Sequence, residues 1–472
     1  MDARMDRRRF MRVGAASAAG VVALGGSLHG AAASGADTLA MLGGTPVRTE
    51  PFSQVWPIFD ETEEQALLGA LRSRDWCCLR GHEVYDYQTA FAQAMGAGQC
   101  VLSNGGTTAL SACLHVLGVG PGDEVITTPR TFIATINVIT NAHALPVFVD
   151  IDPETGSLDA DLIEAAITEH TKVILPVHLA GYPVDIEKIM AIGKKHGIPV
   201  VEDACQSVFA EVNGKKVGTF GTGGCISFQE WKSLVCGEGG AILGDDPEFM
   251  RRCAAFVNNG RDPAGTLGGY PFPGSNHRMT EFQAAVLGQQ FKRFITQDRT
   301  RQANGRYLEQ RLTKIPGLSP RKRYTPNTRI TYVEFDLDYD PEHFEGVPAS
   351  LFARALRAEG ISFVSGGRVG GAGAAIARVC WKSTSNPRPS ADPTRPRGWR
   401  PIAGRWRTCP SWTVAFPAPS KGCRSTARSP SWARGGKWTK SSTPSPRSPG
   451  IVVHWPVCRT KGPEPMRFPS RR

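Results

Sequence analysis

The sequence predicts an α/β fold: one large, mostly parallel sheet with helices on both faces, joined to a smaller α+β domain. Three observations carry that expectation. Short apolar runs alternate with helix-length amphipathic segments between about Gln99 and Leu243, the pattern of βα units whose strands are buried on both faces. A long helical stretch then leads into a strand–helix–strand sequence of a different kind. At 472 residues the chain can bury a large core and a second, smaller one.

Residues 1–36 read as a targeting segment. Arg7-Arg8-Arg9-Phe10-Met11-Arg12 sets paired arginines before an aromatic and an apolar residue, a small and apolar run follows from Val13 to Leu28, and Ala31–Ala33 offers a small-x-small cleavage site. This is the form of a twin-arginine signal, so export as a folded protein is expected, with the cytoplasm the location if the signal is not used. The run is rich in Gly and Ala, and no stable membrane span is expected there or elsewhere.

The large domain is expected over residues 37–295, including an N-terminal arm. "CVLS", "EVITT", "LPVFVD", "KVILPV", "IPVVED", "CISF" and "GAIL" read as strands. Between the earlier ones lie the helices "TTALSACLHVLG", "FIATINVITNAHA", "DADLIEAAITEH" and "VDIEKIMAIGKKHG". Seven apolar strands of this kind make a sheet whose polar chemistry gathers at the carboxyl ends of the strands. The stretch from His277 to Leu312 is a long helix leading into a small domain over residues 296–366. "ITYVEFDLD" supplies a strand there, "PASLFARALRAEG" a helix, and "ISFV" starts a further strand.

From Gly367 onward the composition changes abruptly. Arg, Pro, Ser, Gly and Trp dominate, and stretches such as "SSTPSPRSPG" show neither helical nor strand periodicity. The net charge of +12 comes from this tail: 21 Lys and Arg face only Asp392 and Glu464 from Arg368 on, while the rest of the chain carries 34 bases against 41 acids. Any nucleic-acid reading therefore rests on the tail alone. Its onset in mid-domain reads as a shifted reading frame, against a basic disordered tail or a nucleic-acid-binding one, and no packed structure is expected over 367–472. The 12 cysteines show no metal-ligand spacing, and no metal is expected. Most sit singly in apolar runs and read as buried thiols.

Candidate site residues fall just after strands. In "SNGGTTAL", Gly105, Gly106 and Thr107 lie between a strand and a helix start, either a plain tight turn or a cradle of free amides for a phosphate. In "VVEDACQS", Asp203 ends an apolar strand, either as a helix cap or as the partner of a buried cation. "SFQEWKSLVCGEGG" holds Ser227 and, five residues on, Lys232. That lysine is either a snorkelling surface residue or an amine nucleophile in a partly buried site.

Taken together and in this order, these segments resemble the sugar aminotransferases of the DegT/DnrJ/StrS type, which are fold-type-I enzymes dependent on pyridoxal 5'-phosphate (PLP). The resemblance runs from about Leu42 to Phe363. It is densest in "GPGDEVITT", "TFIAT", "PVFVDIDPET", "PVHLAG", "VEDACQS", "SFQEWKSLVCGEGGAI", "NNGR" and "GSNHRMTEFQAA". The resemblance implies that Lys232 holds PLP as a Schiff base and shuttles the proton. It implies that Asp203 partners the pyridine nitrogen, that Phe132 stacks on the ring, and that Gly106, Thr107 and Ser227 contact the phosphate. Gln206 then lies near the ring hydroxyl. Asn276 reaches the phosphate of a neighbouring subunit, which implies a homodimer with shared sites, and Arg278 helps hold a donor carboxylate or the substrate.

The implied reaction moves an amino group from glutamate or glutamine to a keto-sugar or keto-cyclitol. "MLGGTPVRTEPF" and "SFQEWK" look most like the branch acting on keto-inositols and aminohydroxybenzoate precursors. Related sugar dehydratases carry histidine at the lysine position, so Lys232 favours transamination. Three departures stand out: the extra-looking glycine at Gly105–Gly106, Trp231 before the lysine, and the unrecognisable C-terminal part of the small domain. The last leaves open a PLP-binding relic whose cleft does not close. A basic nucleic-acid-binding regulator stays open on the tail charge alone.

Overall fold

Alternation of apolar residues along the strands decides how this chain layers. The computed structural model describes residues 38–52, 56–262, 265–361, 364–366 and 411–415, all within a unit spanning Met1–Ser420. The signal-like residues 1–36, most of the tail and the second unit, Lys421–Arg472, lie outside the described residues.

Two helices absent from the sequence reading come first, α1 (Glu61–Ser73) and α2 (Glu83–Met95). Asp60 caps α1 in a reciprocal capping box with Glu63. The βα alternation follows: β1 (Gln99–Ser103), α3 (Gly106–Val116), β2 (Glu124–Thr127), α4 (Ile133–Asn141), β3 (Leu145–Phe148), α5 (Ile163–Ala166), β4 (Thr171–Ile174), α6 (Ile186–His196) and β5 (Val201–Asp203). A small hairpin, β6 (Glu211–Val212) and β7 (Lys215–Lys216), interrupts it before β8 (Gly223–Ser227) and β9 (Gly240–Gly244). The hairpin turns on Asn213 and Gly214, both at positive φ, the residue pair that two-residue hairpin turns favour.

Hydrogen-bonded ladders join β3-β2-β4 and β5-β8-β9-β1. Parallel bridges Ile174–Val200 and Val177–Asp203 connect β4 to β5. The result is the expected seven-stranded sheet, in the order β3-β2-β4-β5-β8-β9-β1, with β9 alone running against the others. Strand residues alternate between two apolar layers. Leu102, Ile126, Ile174, Ile226 and Leu243 face α2, α6 and the long helix α8 (Glu281–Leu312). Val101, Val125, Val173, Val201, Cys225 and Ile242 face α3, α4 and α7 (Pro247–Val257). Burial on both faces explains why the strands read as continuous apolar runs.

The boundary expected at 295/296 falls inside α8, which runs unbroken. Beyond it, β10 (Leu318–Pro320), β11 (Glu334–Tyr339), α9 (Ala349–Ala358), β12 (Val364–Gly366) and β13 (Ser411–Ala415) make a small antiparallel sheet in the order β10-β11-β13-β12 with one helix. Phe335, Leu337 and Tyr339 bury its own apolar core with Leu318 and Ala353.

Three further elements differ from expectation. The segment "DADLIEAAITEH" gives only a 3-10 turn at Ala160–Leu162 and four residues of α5, because Ile167 takes an extended backbone (φ −73°, ψ 131°). Helix α7, with Asp246 as cap and proline in its first turn, was not read. The tail was expected to contribute no packed structure, yet Ser411–Ala415 forms β13 at the centre of the small sheet's second half. Among the described residues no helix is long and apolar enough to cross a membrane, and no group of His, Cys, Asp and Glu could hold a metal ion.

Candidate active site

Consecutive acids on a strand point to opposite faces, and β5 ends on such a pair. Glu202 is fully buried in the layer beneath the site. It accepts N–H bonds from Gly218 (2.8 Å), Phe220 (2.7 Å) and Gly221 (2.8 Å) and meets His178 Nε2 at 3.1 Å. These bonds compensate the burial of its charge. Asp203 turns the other way. It is 5% exposed, its Oδ2 accepts from Thr135 Oγ1 (2.7 Å) and its Oδ1 from the amide of Cys205 (3.2 Å). Thr131 Oγ1 backs Thr135 at 2.7 Å. No lysine, arginine or histidine pairs with Asp203 among the described residues. A buried carboxylate held by neutral donors alone is poised for a cation.

Gly106 opens α3 against the same spot. A Cβ built on it would lie 2.7 Å from Cys205 Sγ and 2.9 Å from Ser227 Cβ, so only glycine fits this close approach. The first-turn amides of α3 have no intrahelical acceptor, and no side chain caps them. Thr107 is exposed beside them, and Ser227 is buried at the end of β8 with its Oγ accepting from the Gln229 amide (3.4 Å). A phosphate-sized anion matches this donor set.

Cys205 forms the floor where these groups meet. Its thiol is pushed well above the ordinary range, first by burial and next by the Asp203 carboxylate, while the Lys232 ammonium opposes the shift. The Cys205 thiol thus feels both the Asp203 carboxylate and the Lys232 ammonium. Lys232 sits in the turn after β8, half-buried, with its amide donating to Gln229 O (2.9 Å) and, among the described residues, no hydrogen bond or ion pair on its amine. Phe132, at the N-cap of α4, is 55% exposed although Thr131 before it is fully buried. Gln206 accepts from the Ala180 amide through Oε1 (3.0 Å), which ties the Leu179–Gly181 turn to the site.

The structure thus brings Gly106, Asp203, Cys205, Ser227 and Lys232 together, with Gln206 next to them. Asn276 and Arg278 lie on a separate segment. Asn276 is exposed, Arg278 donates to Asn258 Oδ1 (2.8 Å), and His277 O between them accepts the amide of Asn104 (2.8 Å), at the end of β1.

This geometry has known counterparts. A sequence profile of the DegT/DnrJ/EryC1/StrS aminotransferase family matches residues 57–364. The chain belongs to this family. The L-glutamine:2-deoxy-scyllo-inosose aminotransferases of Streptoalloteichus tenebrarius and Streptomyces kanamyceticus are each 37% identical to it, over 338 and 335 residues. Each match covers 68% of this chain and 78% of the relative. Among solved structures, 3-amino-5-hydroxybenzoic acid (AHBA) synthase is 33% identical with a TM-score of 0.58, covering 61% of this chain and 76% of that one. The expectation of a DegT/DnrJ/EryC1/StrS aminotransferase on an α/β fold is borne out.

Several residues of this family member's site escaped the sequence reading. Thr131, just before the N-cap of α4, and Thr135 in its first turn stand four residues apart inside the segment "TFIAT" and meet through their hydroxyls. Cys205 stands in the sequence as one more thiol among small and apolar residues. The charged face of β11, which carries Glu334, Asp336 and Asp338, was legible as period-two alternation in "EFDLDY" and was read only as a strand.

Proposed function

We propose that the chain binds PLP through Lys232 and transfers the amino group of glutamine to a keto-cyclitol. The observation that carries this reading is Asp203: a buried carboxylate without a cationic partner, within one cluster with a free lysine and an uncapped helix start. Bound there, PLP would supply an aldehyde for the lysine and substrate amines and a protonated ring that draws off the electron pair left at a deprotonated carbon.

The chain's own residues divide the remaining work. Asp203, fixed by Thr135 and the Cys205 amide, would hold a proton on the ring nitrogen. The first-turn amides at Gly106 and Thr107, with the Ser227 hydroxyl, would bind the phosphate. Phe132 offers an exposed ring to one face of the cofactor. Gln206, anchored through Oε1, keeps its amide nitrogen for the ring hydroxyl. The Lys232 amine, released when a substrate amine takes its place, would carry the proton between substrate and cofactor carbons.

The choice of glutamine and a keto-cyclitol rests on the activities named for the two relatives. The dimer reading rests on Asn276, which is exposed on a segment separate from the strand ends that carry Lys232 and Asp203, in keeping with service to a neighbouring subunit. Export rests on the sequence of residues 1–36 alone.

Borohydride reduction of the purified protein, followed by peptide mapping, tests the assignment. The cofactor adduct should sit on Lys232. Lys232→Ala should lose the adduct and turnover of glutamine with 2-deoxy-scyllo-inosose while keeping its circular-dichroism spectrum. An adduct on another lysine, or retained turnover in the variant, would overturn it.

A further inference from the structure

An aromatic ring that is to lie against a cofactor must be held in place, and Phe132 is more than half exposed. Much of its side chain meets no neighbour, so the backbone on either side sets its position. On the helix side, the Phe132 carbonyl accepts the amide of Thr135 (3.2 Å), whose hydroxyl donates to Asp203. On the strand side, Thr131 is fully buried and shares a 2.7 Å hydrogen bond with the Thr135 hydroxyl. The residue before it, Arg130, reaches out of the large domain.

The Arg130 guanidinium donates to the Gly156 carbonyl and to Asp336 Oδ2, on the charged side of β11 in the small domain. The same oxygen meets Arg321 Nε at 3.4 Å, while Asp336 Oδ1 has no hydrogen-bond partner. Arg321 Nη1 in turn reaches the Pro153 carbonyl (2.9 Å) and Asp338 (2.8 Å). The Asp336, Arg321 and Arg130 side chains are 2%, 1% and 12% exposed. Gly156, at φ +68°, makes room for the cations: a Cβ there would lie 2.5 Å from Arg130 Nη1 and 3.1 Å from Arg321 Cζ. Two neighbouring guanidiniums repel each other, and one Asp336 oxygen shared between them offsets that repulsion. Lys322 and Tyr324 also fasten the small domain to the large one, at Glu154 and Thr155, on a loop without candidate site residues. Arg130 fastens it to the loop that carries Phe132.

We propose that Asp336 in the small domain, acting through Arg130, positions Phe132 against the cofactor ring. The proposal rests on the PLP reading above and adds to it a pair of positioning residues that touch neither cofactor nor substrate. A contact group keeps its worth only when held to within roughly 0.5 Å by locked neighbours. Arg130 is locked by its buried partners and stands two residues from Phe132, with a buried threonine between them. Without the Asp336 charge, Arg130 faces Arg321 uncompensated, and the turn that ends in Phe132 shifts. The large domain thus supplies the ring's contacts, and the small domain sets one of them.

The test is a mutant cycle on the full chain, read by calorimetric titration of PLP and by visible circular dichroism of the bound cofactor. Arg130→Gln and Asp336→Asn should each weaken PLP binding roughly 3- to 10-fold, the worth of one aromatic contact, and change the dichroism band. Asp336→Asn keeps the side chain's shape and serves if Arg130→Gln does not fold. Arg130→Lys, a point charge in place of a fork, should recover part of the loss. In a Phe132→Ala background, Arg130→Gln should cost less than about twofold more, because the two residues act as one unit. An ion pair that served stability alone would lower the melting temperature and leave PLP affinity and dichroism at wild-type values, which overturns the proposal. Fully additive losses for Arg130→Gln and Phe132→Ala overturn it too. A wild type that binds no PLP would instead overturn the cofactor reading. Amide exchange over residues 128–135 of the cofactor-free protein then still scores the tether: faster exchange in Arg130→Gln supports it, and equal exchange overturns it.

Discussion

At the scale of single residues, the site depends on close approach as much as on charge. Gly106 has the least room: its missing side chain lets the start of α3 lie against Cys205 and Ser227 at once. Gly106→Ala must push apart the phosphate turn and the end of β8, because neither the sulfur nor the serine Cβ is the far end of a flexible chain. The variant should fold with a stability loss of about 1–3 kcal/mol and bind PLP more weakly than wild type. Thermal melts with and without PLP check both effects, and an unchanged melting temperature together with unchanged PLP affinity would show that the contact yields freely. The glycine was legible in the sequence as one end of a turn. The reason it must be glycine was not, because Cys205 and Ser227 lie 99 and 121 positions further along the chain. Lys232 and Asp203 were legible because a charged side chain at the end of an apolar strand breaks a pattern. Asp336 was not, because in alternation with apolar residues it follows one.

At the scale of elements, the charged face of β11 has a consequence for stability against pH. Burial raises the Asp338 carboxyl from its ordinary 3.8 to about 6, with Asp336 adding to the shift and Arg321 and Arg130 opposing it. Glu334 is raised for the same leading reason. Between those pH values the folded chain holds protons that the unfolded chain has released, so stability falls as pH rises from near 4 through about 6. Asp338→Asn removes one such group while Arg321 keeps Asp336 and the Pro153 carbonyl. Its melting temperature should fall less steeply than that of wild type between pH 4.5 and 7 (roughly the window set by the raised carboxyl). Parallel curves would show that Asp338 titrates no differently folded and unfolded. The strands of the large sheet were legible since burial on both faces leaves long apolar runs. Helices α1, α2 and α7 lie outside the βα alternation and so are not legible from it, and α5 is shorter than its segment suggests because the apolar spacing reaches Ile167, where the backbone turns extended.

At the scale of the whole molecule, the small domain depends on residues that its own contiguous sequence does not contain. β13 pairs with β11 from Glu334–Ala415 to Asp338–Ser411 and with β12 from Val364–Val414 to Gly366–Trp412. It is the inner strand that joins β12 to the rest of the sheet, so removing it frees a whole edge of β11 and leaves β12 without a ladder. Exposed strand edges invite pairing between chains. A chain ended after Ser420 keeps every strand of this sheet, whereas one ended after Gly366 loses β13. The first should melt within about 2 °C of the full chain, and the second should melt several degrees lower and aggregate at micromolar concentration. Val414→Pro tests the pairing with no truncation: proline cannot donate to the ladder, and Val414 faces Phe335 on one side and Val364 on the other. It should lower the melting temperature in the same direction as loss of the strand. If the chain ended after Gly366 and Val414→Pro both melt with wild type, the segment contributes no pairing, and the reading of the tail as a shifted frame without packed structure stands for all of 367–472.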